Sequence, residues 1–256
     1  MNHAAFLRGG VVALIAAAGI IGTKTGTSVG SEIQSFASTE GGVTEVTVRD
    51  VRASNEKVAM AHAALREMWS VHFEDIGTRF AVPRLVRYRG GAMSSCGLMR
   101  PNNAGYCPAD NTIYFDEIFV AAQAKNAARE VGTDGDMAAV GIVAHEMGHA
   151  VAIQLGYASR YTYQNESVAD CLAGAFALYA DNTGSLEDGD LEEAFYGMAA
   201  AADPTPRLSG NERTDRRILR AAALMGHGTR EQRTANFQRG LDGGPGACLE
   251  DFQQLS

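Results

Sequence analysis

The sequence predicts an α+β fold, rich in helix, with a small sheet. Three observations carry that prediction. Residues 133–156 and 165–178 place apolar side chains at helical spacing, and residues 54–76 do the same. Two short stretches rich in β-branched and aromatic residues, Pro83–Tyr88 and Thr112–Asp116, read as strands. No internal repeat is present, and residues 49–256 are enough for one domain with a sizeable core.

In chain order, residues 1–22 carry Arg8 ahead of an apolar run from Val11 to Ile21, the layout of a secretion signal or a single N-terminal membrane anchor. The run is shorter than the roughly 18 to 20 apolar residues that span a bilayer comfortably, yet no clean cleavage site follows it. Both readings predict export, to the cell envelope or beyond. Residues 23–48 are rich in Gly, Ser and Thr, and read as a flexible linker. The net charge of -8, without a lysine or arginine block, argues against a nucleic-acid partner.

The helix over 54–76 puts Val58, Ala61, Leu65, Trp69 and Phe73 on one face. His62 and His72 lie within it and read as packed or solvated residues, not ligands. The strand at Pro83–Tyr88 leads into a segment holding Cys96 and Cys107. Four cysteines in an exported chain predict two disulfides, and three pairings are open. A short Pro/Asn/Gly loop between Cys96 and Cys107 favours that bridge, leaving Cys171 with Cys248. A cysteine zinc site is the rival, but no CxxC spacing supports it. The strand Thr112–Asp116 is followed by a helix over 117–129.

The next helix, capped by Thr133 or Asp134, contains His145-Glu146-Met147-Gly148-His149. Histidines four residues apart share a helix face, so both imidazoles reach one metal ion with Glu146 beside them. A zinc site with two histidines needs a third protein ligand. Glu166, in the following helix, supplies a carboxylate, and Asp170 one turn on can hold a ligand histidine by its other ring N–H. Gly148, Ala173 and Gly174 predict close approach of these two helices.

At these residues the chain resembles the thermolysin-like, glutamate-liganded zinc peptidases, which carry Glu-x-x-x-Asp after HExxH. The competing HExxHxxGxxH pattern would require glycine at Ala152 and histidine at Leu155. A narrower likeness runs from about Pro83 to Cys248. SSCG with YCPADNTIYFDEIF, AHEMGHA, ESVADCLAGAF, HGTREQR and FQRGLDGGPGAC are similar to blocks of the putative neutral zinc metallopeptidase family of bacteria. That resemblance implies a zincin-like domain, exported or membrane-anchored, with Zn2+ on His145, His149 and Glu166 and with Glu146 as general base. All four cysteines fall within shared blocks. Members commonly have Thr where Gly226 stands, which bears on His227.

The expected activity is therefore hydrolysis of a peptide or protein substrate, Glu146 moving the proton. The oxyanion needs a further donor, for which His227 is the first candidate and Tyr157, Tyr161 and Tyr163 the alternatives. A metal-stabilised envelope protein that binds a partner peptide without cutting it is the alternative function, and an amidase acting on cell-wall peptides a third.

Overall fold

A computed structural model describes residues 33–37, 43–157 and 159–249. The signal or anchor read at 1–22 lies outside them. Among the described residues no helix is long and apolar enough to cross a membrane.

The stretch read as linker is corrected by the structure. Strands β1 (Ile33–Ala37) and β2 (Val43–Thr47) lie inside it, paired antiparallel with Ile33 opposite Thr47. Four of the five residues in Val43-Thr44-Glu45-Val46-Thr47 are β-branched, which suits a strand; Thr44 and Val46 are buried with Glu45 exposed between them, and Val46 packs with Val51, Ala121 and Ala122. Helix α1 (Val48–Asp75) begins earlier than residue 54, because Thr47 and Asp50 form a reciprocal capping box.

Strands β3 (Arg84–Tyr88), β4 (Ala92–Ser94), β5 (Gly97–Met99), β6 (Ala104–Cys107) and β7 (Thr112–Asp116) follow. The sheet order is β3-β7-β6, with β3 parallel and β6 antiparallel to β7. All five residues of β7 are buried, which matches its near-continuous apolar sequence and central place. Strand β6 is therefore an edge. Strands β4 and β5 make a separate hairpin tied to β6 by the Cys96–Cys107 disulfide.

Helices α2 (Glu117–Val131), α3 (Asp136–Gln154), α4 (Thr162–Asn182), α5 (Asp190–Ala200), α6 (Glu212–Met225) and α7 (Arg230–Leu249) complete the domain. Helix α7 breaks at Gly244-Pro245, where Gly244 has φ 64°. The fold is the helix-rich α+β arrangement predicted. Its core centres on α3, which packs against α1, α2, α4 and α5. Few apolar residues of α3 reach water, because the helix is covered on nearly every side.

The expected caps of α3 are displaced. Gly135, not Thr133 or Asp134, is the N-cap, with φ 82°, and a Cβ there would lie 1.8 Å from the Ala124 carbonyl oxygen. The free helix amides are instead met from α5. Both oxygens of buried Glu193 accept, from the N–H of Gly135 and of Met137, each at 2.8 Å. A carboxylate at this position also complements the helix dipole.

Candidate metal centre

Helical periodicity brings His145, Glu146 and His149 to one side of α3, and α4 runs against that side. The close contact is at Gly148, where an added Cβ would fall 2.9 Å from both Cα and O of Ala169. Glycine there lets Glu166 come within reach of both histidines. Gly174 serves a different neighbour from the one the sequence suggested. A Cβ on it would meet the Phe237 carbonyl oxygen of α7 at 1.9 Å, so it sets the α4–α7 distance.

His145 Nε2 lies 3.1 Å from Glu166 Oε2, and His149 Nε2 lies 3.4 Å from Glu166 Oε1. The two Nε2 atoms are 3.1 Å apart. A tetrahedral zinc with ligand distances of about 2.0–2.2 Å has edges of about 3.3–3.6 Å. The separations, 3.1 to 3.4 Å, come within about 0.2 Å of that range, and the donor set of two imidazoles and one carboxylate suits zinc. His145, His149 and Glu166 thus fit the ion as a group.

The orientation of His145 follows from its other nitrogen. Nδ1 lies 2.8 Å from Oδ1 of Asp170, which is wholly buried. A buried carboxylate accepts, so Nδ1 carries a proton and Nε2 faces Glu166 and His149; an ion held there takes the place of any proton on Nε2. Burial alone would disfavour a charged His145, but Asp170 and Glu166 outweigh it and raise its pKa to about 10. Burial likewise opposes ionisation of Glu166, yet both histidines hold its carboxyl well below the usual range.

Asp170 has a second partner that the sequence reading missed. Arg233 of α7, 5 % exposed, donates from Nε to Oδ2 at 3.0 Å and from Nη2 to Oδ1 at 2.6 Å. Its Nη1 donates to the Ala201 carbonyl at 2.9 Å. Nη2 also comes within 3.4 Å of His145 Nδ1, which places two donors on one acceptor. Burial opposes the charge on Arg233, and Asp170 overcomes it. The residue sits at the end of HGTREQR, but nothing in that string indicates a carboxylate 63 positions earlier.

Helix α7 is held to α4 by the predicted second disulfide, Cys171–Cys248. The packing is tight along its length, since a Cβ at Gly240 would lie 1.8 Å from the Cys171 carbonyl oxygen. Both predicted pairings form, and among the described residues no cysteine is free.

A cavity of about 600 Å³ opens beside the metal ligands. One wall is the edge strand β6, and the Tyr106 amide donates to Glu146 Oε2 at 2.8 Å. His227 lines the cavity, between α6 and α7. Asp203 accepts from the backbone N–H of His227 and of Gly228, and its Oδ1 lies 3.4 Å from His227 Nδ1. Tyr157 also lines the cavity, whereas Tyr161 and Tyr163 do not. His62 contacts the Pro83 carbonyl at 2.9 Å and His72 packs on Trp69, away from the site.

A helix-borne HExxH packed against a Glu-x-x-x-Asp helix at the wall of an open cleft defines the class, a helix-rich domain built round a metal-binding centre. The chain belongs to the putative neutral zinc metallopeptidase family, whose sequence profile matches residues 3–252. It is 34 % identical over 209 residues to "Uncharacterized protein YpfJ" of Escherichia coli K12, covering 74 % of this chain and 68 % of that protein. It is 29 % identical over 189 residues to "Uncharacterized protein Rv2575" of Mycobacterium tuberculosis H37Rv, covering 65 % and 61 % respectively. No solved structure matches it.

Proposed function

We propose that this chain is a zinc-dependent peptidase acting outside the cytoplasm. The observation that carries the reading is the convergence of His145, His149 and Glu166 at the wall of a cleft that also exposes Glu146 and the outer edge of strand β6. The two disulfides support an oxidising compartment. When bound, zinc supplies the Lewis acidity that makes water a nucleophile near neutral pH. Glu146 takes the proton of the attacking water on its carboxylate and returns it to the leaving amine. Strand β6 pairs with the extended substrate backbone, as an open sheet edge does with a peptide. His227, braced by Asp203, donates to the oxygen on which charge develops. Asp170 and Arg233 keep His145 Nε2 turned to the ligand side throughout.

Incubating the purified chain with an unbiased peptide mixture tests this reading, with Glu146→Gln and a chelator-treated sample as controls. Cleavage by wild type should vanish after chelation and fall by at least about 100-fold in the variant. Glu146→Gln should keep its zinc. Cleavage at the wild-type rate by Glu146→Gln would sink the mechanism. A zinc-loaded wild type that cuts nothing would favour a peptide-binding protein.

A further inference from the structure

We infer that α6 and its flanks form a seat for an anionic lipid surface. The segment 207–225 carries Arg207, Arg213, Arg216, Arg217 and Arg220 against two carboxylates, in a chain of net charge -8. Those carboxylates are occupied. Asp215 accepts from the backbone N–H of Ser209 and of Gly210, and Glu212 pairs with Arg216. At about 100° per residue the four arginines of the helix fall within an arc of about 100°, and all four are exposed. Helix α6 rests on α4, with Thr162 bonded to the Leu224 carbonyl, but buries none of its own residues. Leu219, 50 % exposed, lies about 60° round the helix from Arg216, and Leu208 and Met225, 55 % and 74 % exposed, stand at the two ends of the arginine ridge.

Arginines alone would fit any polyanion, but exposed leucine and methionine beside them gain nothing from a soluble acidic peptide. A bilayer interface takes both, the charges against anionic headgroups and the apolar side chains at the acyl boundary. The test is flotation of the full chain with vesicles of phosphatidylcholine alone or mixed with phosphatidylglycerol. The apolar N-terminal run and its Arg8 contribute equally in wild type and variants, so the difference between wild type and the arginine variant reports α6. Wild type should prefer anionic vesicles, and Arg213→Gln/Arg217→Gln/Arg220→Gln should lose about fivefold per arginine, on the order of 100-fold together. Leu219→Ser/Met225→Ser should weaken binding with the charges intact. Equal binding to both lipids, or an undiminished preference in the arginine variant, would overturn the inference. So would arginine-dependent capture of soluble polyglutamate with vesicle binding unaffected by the Leu219/Met225 change.

Discussion

Replacing Arg233 with methionine should test how the metal centre is held in shape. The variant keeps most of the apolar stem but removes both donors to Asp170 and the donor to Ala201. Asp170 would keep His145 on Oδ1, while Oδ2 would lose Arg233, the donor that satisfies it inside the core. Removing one partner of a buried ion pair costs about 3–5 kcal/mol. For a domain of this size that corresponds to a melting temperature lower by roughly 6–20 °C. Zinc affinity, measured by competition with a chromophoric chelator well below that temperature, should fall about 10- to 100-fold as His145 loosens. Arg233→Lys should recover part of the stability but not the affinity, because lysine lacks the planar fork. Adding Asp170→Asn to Arg233→Met should restore much of the lost stability, since no charge is then stranded. An Arg233→Met protein that melts within about 2 °C of wild type and holds zinc equally would refute the reasoning.

Other perturbations have equally definite outcomes. Gly174→Ala would drive a Cβ to 1.9 Å from the Phe237 carbonyl, so it should destabilise by about 1–3 kcal/mol or more, while Gly246→Ala, with open space around it, should be near neutral in a thermal melt. His227→Ala should lower kcat/KM about 100-fold at unchanged zinc content, and unaltered turnover would remove it from the site. Burial raises the Asp190 carboxyl from 3.8 to about 6, opposed by the Glu187 amide and aided by Asp136, Glu193 and Asp134. The raised value means that the folded state binds this proton more tightly, so its stabilising effect is full below pH 3.8 and lost as pH rises through 6. Asp190→Asn should therefore melt about 2–4 °C above wild type at pH 7.5 and no higher at pH 4, roughly 1 kcal/mol of relief. An equal difference at both pH values would show that ionisation is not the cause.

Much of this molecule is written in local pattern. The 3.6-residue period of residues 136–154 fixes His145, Glu146 and His149 on one face before any partner is known. The same rule puts Glu166 and Asp170 one turn apart, whereas His62 and His72 are set aside in the sequence only as lone histidines of another helix, and the packing of α1 places them away from the site. Strand β7 falls on the residues its composition marked, and the short loop between Cys96 and Cys107 made their pairing readable. Strand β6 was invisible because Ala104-Gly105-Tyr106-Cys107 is short and contains glycine, so its identity as an edge comes from pairing with β7. The strand pair inside residues 23–48 was hidden by a composition that resembles a tether.

The sequence by itself determined the helix that bears the motif, the residue types able to hold zinc, and the cysteines able to pair. Only the tertiary structure decided what orders them. Glu193 caps α3 from 58 positions away, Arg233 meets Asp170 across 63, and Asp203 braces His227 across 24. The physical reason is that periodicity is a property of neighbours, fixed by backbone dihedrals and the water-facing side of each element. A buried carboxylate's partner is fixed by which helices pack at contact distance, and here glycines at 148, 174 and 240 set that distance.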